Sequence, residues 1–176
     1  MNSFNQKILI VDDIEDNRFT LERRLSKSGY TAISQADCGK RALELVKQES
    51  FDLVLLDLMM PDISGLDVLK ILKADPKNRG IPVVMVTAAD EIETTAECIS
   101  NGAEDYITKP INATLLKARV SACLEKKRFR DSEEHYLSKV EADKKRTQTF
   151  LKQILPEKIA EELNSSGLVR PRKYED

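Results

Sequence analysis

The fold class predicted here is a doubly wound α/β sandwich built on a five-stranded parallel sheet, and three observations predict it. Short continuous apolar runs alternate with amphipathic stretches through residues 1–125. The clearest runs are rich in branched side chains, the composition of strands covered on both faces. Gly29, Gly80 and Gly102 punctuate the pattern where helices should end, because a left-handed residue is cheap only for glycine.

The elements follow in order. The first strand is KILIV, Lys7–Val11, and the first helix is marked by Phe19, Leu21 and Leu25. A weaker second strand spans Tyr30–Ser34, with Ala42, Leu43 and Val46 marking the next helix. FDLVLL, Phe51–Leu56, is the third strand, and Leu66, Leu69 and Leu72 mark the third helix. PVVMV, Pro82–Val86, is the fourth strand, followed by a helix marked by Ala96 and Ile99. A weaker fifth strand covers Ala103–Ile107. After Pro110 neither Gly nor Pro occurs until Pro156, and the stretch is rich in Lys, Glu, Leu and Ala, so it reads as one long helix. Roughly 43 residues at 1.5 Å each give it about 65 Å. Its first turns, with Leu115, Leu116, Val120 and Leu124, can close the α/β domain. Right-handed crossovers leave few other topologies, and sites in such sheets form at the carboxyl ends of the strands.

Composition narrows the function. A hydrophobic fraction of 41% supports a folded core, mostly aliphatic, since aromatics are 5% and Trp is absent. The net charge of −2 is uneven: residues 1–111 hold 13 basic against 19 acidic groups, and residues 112–176 hold 15 against 11. That basic excess is too small and too diluted by Glu for a nucleic-acid surface. The cluster Lys126–Arg130 reads as a solvated helix face. Cys38, Cys98 and Cys123 are odd in number and lack metal-ligand spacing, which fits a reducing compartment. His135 is the only histidine and has no kinase-type motif around it, so it is expected to be an exposed helix residue. No apolar run approaches the roughly 18 residues of a membrane span and no signal pattern opens the chain; a soluble, cytoplasmic protein is expected.

The strand ends carry the chemistry. The first strand ends in Asp12 and Asp13, the third in Asp57 and the fourth in Thr87, while Lys109 and Pro110 follow the fifth. All lie on one edge of the sheet. Three carboxylates, a hydroxyl and an ammonium therefore converge on one pocket. Carboxylates so close repel, and a proton or a cation must settle them. Hard oxygen ligands open to solvent suit Mg²⁺. With that ion and Lys109 neutralising a phosphoryl group in flight, Asp57 can attack as a nucleophile.

These residues sit in VDD (Val11–Asp13), LLDLMMPDISG (Leu55–Gly65), VTAAD (Val86–Asp90) and DYITKP (Asp105–Pro110). Over roughly residues 5–127 the chain resembles the receiver domains of bacterial response regulators, which have a flavodoxin-like fold. The resemblance implies that Asp57 is the phosphoacceptor, with Mg²⁺ held by Asp12, Asp13, Asp57 and the backbone carbonyl of Met59. It implies that Thr87 hydrogen-bonds the phosphoryl oxygens, that the small Ala88 leaves the entry open, and that Lys109 pairs with the phosphate across a cis bond to Pro110. Tyr106 matches the family's switch aromatic; the alternative is a half-buried strand tyrosine with a wet hydroxyl. Met59 and Ala89 are apolar where many relatives carry polar groups that position water. The implied phosphodonor is a sensor histidine kinase or a phosphotransfer protein.

Beyond Lys126 no core remains to cover, yet Leu137, Val140, Thr147, Leu151 and Ile154 recur at spacings of 3 and 4, interrupted by Lys144. Residues 128–155 are thus expected to form a coiled coil continuing the fifth helix, and a parallel homodimer suits a relay to an effector. Residues 156–176 complete a segment similar to the lead-in of class III nucleotide cyclase domains, with Leu155-Pro156 and Tyr174-Glu175 as its marks. No cyclase metal-binding pair is present, so the chain is expected to be regulatory rather than an enzyme. Two alternatives stand beside a cyclase output: a stand-alone phosphoryl shuttle or adaptor, and a regulator of a different output enzyme.

Overall fold

The structure, a computed structural model, describes residues 4–88 and 92–154. Its elements are β1 (Phe4–Val11), α1 (Glu15–Lys27), β2 (Tyr30–Ala36), α2 (Gly39–Gln48), β3 (Leu53–Asp57), α3 (Gly65–Ala74), β4 (Val83–Thr87), α4 (Ile92–Ser100), β5 (Asp105–Thr108) and α5 (Ala113–Ile154). All strand pairs are parallel and the order is β2-β1-β3-β4-β5. This is the flavodoxin-like doubly wound arrangement, whose strand order reverses between β1 and β3.

The period-2 alternation of the strands divides the core. Ile8, Ile10, Leu53, Leu55, Val84 and Val86 face Leu21 and Leu25 of α1 and Leu116, Val120 and Leu124 of α5. Leu9, Val11, Val54, Leu56, Val83 and Met85 face Ala42, Leu45 and Val46 of α2 and Val68, Leu69 and Leu72 of α3. Every residue of β3 and β4 is buried, which is why these strands read as unbroken apolar runs.

Several expectations shift. β1 begins at Phe4 rather than Lys7, with a register irregularity between them, because edge pairing to β2 does not require apolar side chains. β2 runs on to Ala36 instead of Ser34, and β3 and β4 extend to Asp57 and Thr87, so these two site residues are strand residues. β5 starts at Asp105, not Ala103, because the Ala103 N–H donates to the Cys98 carbonyl (3.0 Å) in the turn that ends α4. Gly29 and Gly102 do take positive φ, but Gly80 does not end a helix; α3 stops at Ala74. Phe19 and Leu115 are 60% and 53% exposed. Phe19 precedes Leu21 by two positions, about 200° around a helix, so it faces away from the stripe. In α4 the buried stripe is Thr95 and Cys98, one step out of phase with Ala96 and Ile99.

The chain divides into two units, Met1–Phe129 and Arg130–Asp176. The first contains the sheet, α1 to α4 and the start of α5. In the second, the described residues 130–154 are helical, and every side chain from Asp131 to Phe150 is exposed, including His135, Leu137, Val140 and Thr147. The side chains of Leu151 and Ile154, and all of 155–176 with the cyclase-like marks, lie outside the described set, as does Ala89. No helix among the described residues is long and apolar enough to cross a membrane.

Candidate phosphoacceptor site

Asp12 follows β1 directly and is fully buried. Its carboxylate accepts from the Ile14 N–H (2.9 Å) and, through both oxygens, from Asn17 Nδ2 (3.0 Å each). Asp13 is exposed beside it. Asp57 ends β3 at 4% exposure, and Lys109 Nζ donates to Asp57 Oδ1 (2.8 Å) and Asp12 Oδ2 (3.0 Å). The lysine is aimed by its backbone, whose N–H donates to the Thr87 carbonyl (2.8 Å), and the Lys109-Pro110 bond is cis.

The electrostatics follow from this crowding. Burial pushes the Asp57 carboxyl up to about 6; Lys109 opposes the rise, and the neighbouring Asp12 and Asp13 charges add to it. Burial works against the Lys109 ammonium, but hydrogen bonds to Asp57 and Asp12 outweigh it and hold its pKa above the ordinary lysine value.

Two observations test the pocket for Mg²⁺ and phosphate. Carboxylate oxygens of Asp12, Asp13 and Asp57 all lie within 4.8 Å of one another, a hard, acidic donor set. At the adjacent strand end, Thr87 is 1% exposed and its hydroxyl has no hydrogen-bond partner among the described residues, so it can donate to an incoming acceptor oxygen. The residues fit both groups. Ala88 is exposed, and Met59, 66% exposed, lies on the loop after β3.

Tyr106 is 38% exposed, its ring under the Arg119 guanidinium (5.4 Å), which pairs with Asp105. A pocket of about 190 Å³ lies between Thr87 and Tyr106, lined also by Thr95, Ile99 and Thr108. The space beside an outward tyrosine thus joins the orphaned hydroxyl.

Sequence reasoning missed three supporting residues. Asn17 holds Asp12, and Arg18 Nη1 donates to the backbone carbonyls of Asp12 (2.7 Å) and Asp13 (3.2 Å). Asp62 accepts from the Gly39 and Lys40 N–H groups (3.0 and 2.9 Å), tying the loop after Asp57 to the start of α2. Slight desolvation of this exposed carboxyl resists ionisation of Asp62, yet backbone N–H groups of Lys40, Gly39 and Ile63 bring it down to about 2. For Asn17 and Arg18 the available signal was position, one helical turn after the acidic pair. Gly65 is obligatory for another reason: a Cβ there would stand 2.1 Å from the Asp57 carbonyl oxygen.

A buried strand-end aspartate bridged by a lysine, beside a paired acidic loop and an orphaned threonine on a 2-1-3-4-5 sheet, defines a receiver module of two-component signalling. The model of the response regulator receiver domain matches residues 8–121, and the chain belongs to that family. It is similar to the chemotaxis protein CheY-3 of Vibrio cholerae, 37% identical over 122 residues, 69% of this chain and 94% of that protein. It is similar to a cyclic di-GMP phosphodiesterase of Thermotoga maritima, 35% identical over 155 residues, 88% of this chain and 38% of that protein. A crystal structure of a putative response regulator from Chloroflexus aurantiacus matches with a TM-score of 0.67 and 30% identity, over 69% of this chain and 99% of the other. Other matched relatives are much longer, the chain spanning 28% and 25% of two of them. Receiver domains are regulatory modules that take a phosphoryl group on an aspartate, bind Mg²⁺ at an acidic pocket, and work with histidine kinases or phosphotransfer proteins.

Proposed function

We propose that Asp57 of this chain accepts a phosphoryl group from a phosphohistidine partner and that the resulting state is relayed through a dimeric coil to an effector enzyme. The observation that carries the reading is Lys109 Nζ held between Asp12 and Asp57, with a Thr87 hydroxyl that has no partner among the described residues at the next strand end.

In the transfer, a carboxylate oxygen of Asp57 attacks phosphorus while the bond to the donor imidazole nitrogen breaks and that nitrogen keeps the electron pair. Lys109, already charged, exchanges a carboxylate for a phosphoryl oxygen, and Thr87 donates its free O–H to another. Asn17 and Arg18 keep the acidic loop from recoiling as charge accumulates. Mg²⁺, held by Asp12, Asp13, Asp57 and the Met59 carbonyl, supplies charge neutralisation when bound. Ala88 leaves the approach uncluttered. Movement of Thr87 toward phosphate opens space that Tyr106 can enter, and the pocket between them supports this switch.

Residues 5–127 act as the receiver, 128–155 as a parallel coiled coil with Leu137, Val140, Thr147, Leu151 and Ile154 in its seam, and 156–176 as the connector. The class III cyclase-like segment supports a nucleotide cyclase as effector. A second reading is a cyclic di-GMP phosphodiesterase output, favoured by the Thermotoga match, whose 155 residues run beyond the receiver. A stand-alone shuttle is supported by the likeness to CheY-3.

Beryllofluoride, a phosphoryl mimic, tests the site: it binds with Mg²⁺ and not without it, and labelling by radioactive acetyl phosphate vanishes in Asp57→Asn. Labelling that survives Asp57→Asn overturns the assignment. Chimeras of this chain with a class III cyclase domain or a phosphodiesterase domain separate the two outputs by which activity responds to beryllofluoride.

A further inference from the structure

The second unit presents a helix whose side chains from Asp131 to Phe150 all face solvent. With Leu137 set at heptad position a, the a positions are Arg130, Leu137, Lys144 and Leu151, and the d positions are Glu133, Val140, Thr147 and Ile154. The flanking g positions are Tyr136, Asp143 and Phe150; both aromatics are more than half exposed. A seven-residue period belongs to a left-handed supercoil, so the occupant of this face is a helix.

The seam is not simply apolar. Arg130, Glu133 and Lys144 occupy a and d positions, and a charge buried in a coil without an opposite partner is costly. The occupant must therefore bring the opposite charge at the level of Lys144. In a parallel, in-register pair, a knob at a packs against the facing a and the g before it, and a knob at d packs against the facing a, d and e. Lys144 then meets the partner's Asp143, twice by symmetry.

We infer that this helix pairs with a second copy of itself, parallel and in register, with the layer Lys144–Asp143 setting the register beyond an apolar step at Leu137 and Val140. This rests on the dimeric coil proposed above and adds which residues align it. Other arrangements are poorer. A slip of one heptad leaves one of the two Lys144 ammoniums between Thr147 and Phe150 of the facing helix, with no anion. An antiparallel pair can set Lys144 against the partner's Glu133, but the same register sets Glu134 against the partner's Glu141. Charged a positions specify register at a cost in stability, which suits a coil that must change geometry on a signal.

The test is sedimentation equilibrium of the whole chain at low ionic strength, with circular dichroism confirming equal helicity. Lys144→Glu weakens the dimer about tenfold or more, because like charges then meet at that layer. Adding Asp143→Lys restores affinity to within about threefold of the starting protein, whereas adding Glu133→Lys does not restore it. Rescue by Glu133→Lys instead, or no effect of Lys144→Glu on an existing dimer, overturns the register while leaving the dimer standing. A monomeric parent chain overturns the dimeric coil itself, and this inference with it.

Discussion

The receiver unit and the helix from residue 130 onward are built from similar amounts of order but opposite degrees of satisfaction. In the receiver, β3 and β4 are buried throughout and the helices spend their apolar faces on the sheet. From Asp131 to Phe150 the chain is helical and exposed among the described residues, and Tyr136, Leu137, Val140 and Phe150 stay 46–67% exposed. Isolated helices are marginal in water and gain most of their stability from packing. The contrast teaches that one region is stable by its own contacts, while the other, on the proposal above, gains its stability by association. Substitutions should accordingly read out as folding in the first and as association in the second.

The largest expected effect is at Gly65. Its missing Cβ would lie 2.1 Å from the Asp57 carbonyl oxygen, which is backbone and cannot swing aside. Gly65→Ala should therefore cost more than about 3 kcal/mol in denaturant unfolding and reduce labelling of Asp57, since the strand end must move. Gly80→Ala, with nothing within 4 Å of its Cβ, is the control and should change neither.

How much of this was legible in the sequence depends on what each residue bonds to. β3 and β4 were readable because burial on both faces leaves no room for polar residues. The phase of α4 was not, because Thr95 and Cys98 look no more apolar than Ala96 and Ile99, and tertiary packing decides which pair turns inward. Asp12, Asp57, Thr87 and Lys109 were visible through their positions at strand ends. Arg18 and Asp62 were invisible for a physical reason: they bind backbone carbonyls and N–H groups, which carry no residue signature. The exposure of Leu115 and Phe19 was a matter of helical phase, settled only once the stripes Leu116–Val120 and Leu21–Leu25 were known.

A core substitution sharpens the contrast next. Leu55→Ala, at a fully buried position in β3, should cost about 3 kcal/mol of folding stability. Leu137→Ala, at 56% exposure, should leave the receiver's unfolding free energy within about 0.5 kcal/mol and instead raise the dissociation constant of the proposed dimer. Equal loss of folding stability from both would erase the distinction between the units.

The acidic pocket is where the receiver departs from its own rule, since it gives up stability for chemistry. Asp57 has a pKa of about 6 folded against an ordinary 3.8, so between those values the folded state binds more protons than the unfolded one. The stabilisation is fully present below about pH 4 and is lost as pH rises through about 6, a span worth roughly 3 kcal/mol. Asp57→Asn should thus stabilise the metal-free protein by about 2 kcal/mol at pH 7.5 and hardly at all at pH 4. Adding Mg²⁺ should raise the melting temperature of the parent chain at pH 7.5 more than that of Asp57→Asn, and chelation should reverse it. A variant no more stable than the parent at pH 7.5 would mean the pocket carries no such cost.

The smallest effect tests whether the receiver's rigidity reaches its site through a backbone-binding residue. Asp62 takes the N–H groups of Gly39 and Lys40 at the start of α2, while its own chain position lies on the loop between Asp57 and α3. Removing a cap typically costs about 1 kcal/mol, so Asp62→Ala should lower stability by that amount at neutral pH. Because its carboxyl ionises near 2 folded against an ordinary 3.8, that loss should be constant from about pH 5 to 8 and shrink as pH falls through 3.8 towards 2, unlike the change at Asp57. The loop also carries Met59, so Mg²⁺ affinity should fall about threefold, measured by calorimetric titration. A loss of stability with unaltered Mg²⁺ affinity would assign Asp62 to α2 alone, and would separate packing from function within the unit where the two are most tightly joined.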